Sequence, residues 1–272
     1  MTDQISSTGY FIVRFPAEVV NSGSIDILIT GTAIKSIPAN EYINSSTIKL
    51  SSLNLSSSNI PAQNISIKIN GLIQPGSVKN ISSFIVQIFY SSANDLVSQA
   101  TTSTVITTTA GNIISATVTP TSTTTASTTI YTFQIRIGNP LNNGSQIMLY
   151  LPSTVSLITG GVCTVQSVTS TCTVNSNSIS FNLATSYTGG STLTLSYNKF
   201  INPSSTRPTS TFGITTFNSV LETVDILSSS IPLTVTMVNP SLLSSVSVTR
   251  SSLQNRFITS YTFFFTQPQI IN

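Results

Sequence analysis

Two stretches of this chain repeat each other in order, and the copies begin at different points of the repeat. Ser52-Leu53-Asn54-Leu55 returns as Ser180-Phe181-Asn182-Leu183, 128 positions later. At the same offset Ile65, Ile67 and Ile69 meet Leu193, Leu195 and Tyr197, and Ile73-Gln74-Pro75 meets Ile201-Asn202-Pro203. Phe84 and Phe89 then meet Phe212 and Phe217. Upstream, Phe15-Pro16-Ala17-Glu18-Val19 matches Leu151-Pro152-Ser153-Thr154-Val155 once the first copy is allowed a longer connection. Self-similarity at a fixed period is the mark of repeated structural units. A third match closes the chain: Tyr261-Thr262-Phe263 repeats Tyr131-Thr132-Phe133, and Val246 and Val248 repeat Ala116 and Val118. The reading is therefore an incomplete module over 1–111, a complete one over 112–240, and the opening strands of another over 241–272. The first module begins at the equivalent of Ile147–Pro152 and lacks those opening strands.

Each unit reads as strands. Tyr131, Phe133, Ile135 and Ile137 alternate with Thr132, Gln134 and Arg136, the period of a half-buried strand. Further strands are expected over 113–119, 145–151, 162–168, 178–183, 191–197, 210–217 and 230–237. Gly138-Asn139-Pro140, Asn142-Asn143-Gly144, Gly160-Gly161, Gly189-Gly190 and Asn202-Pro203 supply the turns between them. Seven or eight short strands at this spacing predict an all-β fold of tandem immunoglobulin-like β-sandwich modules. No helical period is present. The run Thr119–Thr129 has the composition of a mucin-like linker, but its place between two repeated strands makes it a loop inside the module.

About a third of the residues are Ser or Thr, 39% are hydrophobic and only 6% are charged. The apolar share supplies a core and argues against disorder. A surface with so few charges leaves strand edges open to pairing with other chains, so glycans, a covering partner or deliberate assembly must manage it. The net charge of +3 lies on scattered residues, which gives nucleic acid no basic stripe to bind. No stretch is apolar for the 18 or more residues that a membrane span needs. The first residues have neither the basic nor the apolar region of a signal peptide, so either a leader has been removed or residue 1 is internal to a longer chain.

Candidate chemistry is sparse. Without histidine, and with Cys163 and Cys172 as the only cysteines, a zinc or haem site has no ligand set and no cofactor is expected. The two cysteines are either reduced core thiols or a local disulfide, and the secreted-type composition favours the bridge, worth about 2–3 kcal/mol if unstrained. Of the seven acids, Asp3, Glu18, Asp26, Glu41, Asp95, Glu222 and Asp225, only the last two lie close together, and they read as solvated loop acids. No serine sits in a nucleophile-elbow motif and no glycine loop cradles phosphate, so the chain is not expected to be an enzyme. Asn44, Asn54, Asn64, Asn80 and Asn143 each begin an Asn-x-Ser acceptor for N-glycosylation.

The apolar strand ending in Leu-Pro or Phe-Pro, the Cys163/Cys172 pair, Phe200-Ile201-Asn202-Pro203 and the Phe212 strand together resemble the β-sandwich repeats of large extracellular surface proteins of protists. The resemblance covers both modules, though the first lacks the cysteines, and it implies a structural protein at the cell surface with no catalytic residues. The architecture, an incomplete sandwich beside spare strands, is similar to pilus-type donor-strand fibres. The expected function follows: a subunit of an extracellular filament or coat whose partners are copies of itself, joined head to tail. Val246, Val248, Tyr261, Phe263 and Phe265 are the side chains expected to enter the neighbour's core. The alternatives are a two-module window of a long tandem-repeat glycoprotein, and an adhesin or carbohydrate-binding protein.

Overall fold

A computed structural model describes residues 5–6, 8–30, 39–51, 59–60, 64–90, 93–102, 104–240, 242–253 and 258–266. Every regular element in these residues is a β-strand, as the alternating branched and aromatic side chains require. The chain divides into two units, Met1–Thr109 and Ala110–Asn272.

The N-terminal unit carries β1 (Ile5–Ser6), β2 (Tyr10–Arg14), β3 (Val20–Thr30), β4 (Ala39–Asn44), β5 (Thr47–Ser51), β6 (Asn59–Ile60), β7 (Ser66–Ile73), β8 (Asn80–Ile81), β9 (Ile85–Phe89), β10 (Leu96–Thr101) and β11 (Ile106–Thr107). One sheet runs β10-β9-β2-β5-β4, and the opposing layer is the pair β3-β7. Two short pairs, β1-β6 and β11-β8, complete the ladders. Phe11, Val13, Phe15, Val19, Ile27, Ile29, Ile48 and Leu50 form the core between the layers.

The second unit carries β12 (Gly111–Asn112), β13 (Ser115–Pro120), β14 (Thr128–Arg136), β15 (Gln146–Tyr150), β16 (Ser156–Leu157), β17 (Cys163–Val165), β18 (Val168–Ser170), β19 (Cys172–Val174), β20 (Ser178–Asn182), β21 (Thr192–Ile201), β22 (Gly213–Phe217), β23 (Thr223–Ile226), β24 (Ser244–Arg250) and β25 (Tyr261–Thr266). Its sandwich has one sheet in the order β12-β23-β22-β15-β20-β19 and another in the order β13-β14-β21-β17-β18, with β16 also on β21. The inward positions of β14, β15, β20 and β21 are fully buried, and Phe133 meets Phe212 edge to face with ring centroids 5.4 Å apart, a favoured aromatic geometry.

Four expectations need correction. The stretch 162–168 is two strands, because Gln166 and Ser167 take positive φ (52° and 65°) and reverse the chain into β18. The stretch 230–237 is extended but forms no named strand. Leu233, Val235 and Met237 are buried alternately as expected, yet Pro208 and Pro232 carry no amide hydrogen. Only isolated bonds remain there, such as Thr209 N to Val235 O at 2.9 Å and Phe212 N to Leu233 O at 2.8 Å.

The third correction concerns the repeat. Ile48 and Leu50 pair with Val13 and Phe11 as Ile179 and Phe181 pair with Leu149 and Ile147. Leu53 and Leu55, matched above to Phe181 and Leu183, are therefore not the structural counterparts, and residues 52–58 lie outside those described. The fourth is Asp225, which is fully buried rather than solvated.

Candidate assembly interface

β24 and β25 pair with each other, and no other described strand joins them. Their geometry copies β13 and β14. Val118 faces Phe133, Thr119 faces Thr132 and Pro120 faces Tyr131; 130 positions later Val248 faces Phe263, Thr249 faces Thr262 and Arg250 faces Tyr261.

The turn repeats as well. Thr121 N donates to Ile130 O at 2.9 Å, and Ser251 N donates to Ser260 O at 3.0 Å. Ser122 N reaches Thr129 Oγ1 at 2.9 Å, and Ser252 N reaches Thr259 Oγ1 at 3.0 Å. The hydroxyl pairs Thr121/Thr129 and Ser251/Thr259 lie 2.9 and 3.0 Å apart. The Thr-rich run is thus the structured turn of a hairpin, with its hydroxyls satisfying backbone donors.

The two hairpins differ in what covers them. β14 pairs with β21, with Tyr131 opposite Tyr197, Phe133 opposite Leu195 and Ile135 opposite Leu193. All six side chains are fully buried. The corresponding Tyr261, Phe263 and Phe265 are 57%, 64% and 56% exposed, and Val246 and Val248 are 61% and 51% exposed. Phe264 stands where Gln134 faces outward, so the Phe run has two side chains on the inward face and one on the other.

The N-terminal unit contains a copy of the strand on which β14 lies. Ile27 and Ile29 of β3 face Ile69 and Ile67 of β7, as Cys163 and Val165 of β17 face Tyr197 and Leu195 of β21. Val20 faces Ile73 as Ser156 faces Ile201. β7 is therefore the copy of β21. On its far side, where β21 carries β14, no described strand pairs with it. Ile65, Ile67, Ile69, Leu72 and Phe84 pack against the core only in part, whereas their counterparts Leu193, Leu195, Tyr197, Phe200 and Phe212 are fully buried.

Three aromatic and two valine side chains about half exposed leave on the order of 500 Å² of apolar surface uncovered.

The remaining candidate residues lie elsewhere. Cys163 and Cys172 are joined, with Cα atoms 6.2 Å apart. Since β17 and β19 belong to opposite sheets, the bridge ties the two layers rather than closing a hairpin. Asn44, Asn64, Asn80 and Asn143 are exposed, and Asn54 lies outside the described residues.

Asp225 accepts hydrogen bonds from the backbone N–H groups of Gly138 and Asn139, both at 3.0 Å, and from Asn139 Nδ2 at 2.7 Å. A side chain at Gly138 would collide with Asn112 O at 2.3 Å, so glycine is required where this turn meets β12. Glu222 is half-buried and accepts from Asn218 Nδ2 at 2.7 Å. Among the described residues no three His, Cys, Asp or Glu side chains gather into a metal-binding group, and no helix is long and apolar enough to cross a membrane.

Sequence reasoning missed Asp225 and the buried Asn202, whose amide sits at the end of β21. The only signal for Asn202 was that an amide side chain precedes proline in both copies, Asn202-Pro203 and Gln74-Pro75.

No protein-family model matches the chain. No curated protein matches it either. Among solved structures it is similar to a type II cohesin dyad from the adaptor ScaA scaffoldin of Acetivibrio cellulolyticus, at 12% identity over 86% of this chain and 91% of that one, with a TM-score of 0.24. A non-cellulosomal cohesin from Archaeoglobus fulgidus aligns at 16% identity over 43% of this chain and 93% of its own, with a TM-score of 0.24. The collagen-binding domain of the Erysipelothrix rhusiopathiae surface protein RspB aligns at 11% identity over 97% and 86%, with a TM-score of 0.30. At such scores these likenesses carry no argument, and the all-β sandwich assignment rests on the ladders themselves.

Proposed function

We propose that this chain is a structural subunit of an extracellular filament or fibrous coat, without catalytic activity. Residues 241–272 of one copy complete the N-terminal module of the next. One observation supports the reading: an exposed hairpin has the register and turn bonds of β13-β14, and no described strand gives β7 the neighbour that β14 provides to β21.

Transferring the β14-β21 register by the two repeat offsets sets Tyr261 opposite Ile69, Thr262 opposite Lys68, Phe263 opposite Ile67 and Phe265 opposite Ile65. The receiving and donating surfaces differ, so the contact is heterologous and propagates into an open filament unless it closes into a ring. The disulfide suits an oxidising compartment. Glycans at the exposed Asn44, Asn64, Asn80 and Asn143 would solvate a surface with so few charges.

The test is cross-linking in the full chain carrying Thr262→Cys and Lys68→Cys, both exposed positions. A short thiol-reactive linker should give a ladder of covalent multimers that neither single variant gives. A cross-link confined to monomers, independent of protein concentration, would overturn head-to-tail assembly.

A further inference from the structure

In the second module the seam between β14 and β21 ends in a buried polar junction. Tyr131 has no exposed surface, so its hydroxyl needs an internal partner. It donates to Asn202 Oδ1 at 2.8 Å. Asn202 is 2% exposed, and its Nδ2 donates to Ser122 O and Thr124 O, both at 2.8 Å, with Ser127 Oγ at 3.2 Å. One amide thereby joins the end of β21 to the body of β14 and to the turn of its hairpin. Asn202 N adds a bond to Ser127 O at 3.0 Å.

The same two offsets that align the strands carry Tyr131 to Tyr261, Ser122 to Ser252 and Asn202 to Gln74. Gln74 presents the same amide one methylene further from the backbone, also just before a proline. Gln74 and Tyr261 are both exposed in the single chain. Apolar contacts alone cannot fix the seam. Ile65, Ile67 and Ile69 are three identical side chains at period two, and a slip of two residues keeps every inward side chain inward. Such a slip strands the Tyr261 hydroxyl among isoleucines, and a buried donor without a partner is costly.

We infer that the Tyr261 hydroxyl of one copy donates to Gln74 Oε1 of the receiving copy, that Gln74 Nε2 reaches back to the Ser252 carbonyl, and that this junction sets the register of the seam. The inference rests on the head-to-tail reading and is separable from it.

The test is a double-mutant cycle in the full chain with Tyr261→Phe, Gln74→Met and the pair, reading the critical concentration for assembly. Both side chains are exposed before assembly, so the variants keep the folded monomer. Each single change should raise the critical concentration about tenfold, equivalent to ~1.4 kcal/mol, and the double variant should be no worse than the poorer single. If the two effects multiply instead, or neither change has an effect, the junction does not exist while head-to-tail assembly stands. If the unmodified chain does not assemble, the underlying reading falls, and the junction with it.

Discussion

The two modules are built on one plan and differ in what covers one central strand. In the second, β21 lies between β14 and β17, and Leu193, Leu195 and Tyr197 are sealed from water. In the first, β3 is the one described strand that pairs with β7, and Ile65, Ile67 and Ile69 stay half-buried. The strand outside the opposite sheet tells the same story. β23 is shielded by a parallel neighbour, β12, and buries Val224 and Asp225, while β10 is largely exposed. In both comparisons the more deeply buried strand is the one that carries an additional described neighbour. A half-covered apolar sheet invites pairing, and β24-β25 is the hairpin proposed to supply it.

The largest expected effect comes from removing that hairpin. Deleting 241–272 should abolish assembly and leave the N-terminal module marginal. The second module should melt unchanged, because its core contains no described residue of the segment. Three aromatic-sized burials at about 1.5–3 kcal/mol each are large against the 5–15 kcal/mol that holds a domain together. Phe263→Asp should act nearly as strongly, raising the critical concentration more than ~100-fold by forcing a carboxylate into the seam. Adding 241–272 as a peptide to the truncated chain should restore the cooperative melt of the first module. A truncated chain that assembles normally would break the comparison.

Much of this was legible in the sequence because β7 and β9 keep a single offset of 128 from their counterparts β21 and β22. It fails for β5, whose connections to β2 and β7 are longer than those of β20 to β15 and β21, so matching Leu53 to Phe181 followed composition rather than pairing. Asp225 was misread for a different reason. Its three donors lie 86 and 87 residues away on Gly138 and Asn139, and no local pattern reports a long-range carboxylate site. The same holds for Asn202, where only the shared position before proline hinted that the amide had a role.

Asp225 offers the next test, since it belongs to the closed module alone; the first module has Val97 at the corresponding offset. Asp225→Ala leaves the N–H groups of Gly138 and Asn139 without an acceptor in a buried site, which should destabilise the second module by about 2–4 kcal/mol. Urea melts resolving the two modules should show the loss in the second only. Equal losses in both modules would mean that they fold as one cooperative body, and the comparison would need to be redrawn.

The smallest effect distinguishes the buried tyrosine of the closed module. Burial pushes the Tyr131 hydroxyl up from its ordinary 10 to about 12, because the phenolate would lose its solvation inside the sandwich. In the unfolded chain the same group titrates near 10. The unfolded state therefore sheds its proton first as pH rises, and by linkage stability falls with pH over that interval. The contribution is fully present below pH 10, declines between about 10 and 12, and changes no further above that. Tyr131→Phe removes the titration together with the bond to Asn202. The variant should be less stable near neutrality by about 1 kcal/mol, and its stability should decline less steeply from pH 10 to 12 than that of the unmodified chain. Parallel slopes in the two proteins would show that the decline arises from other groups and that Tyr131 is not the one held neutral.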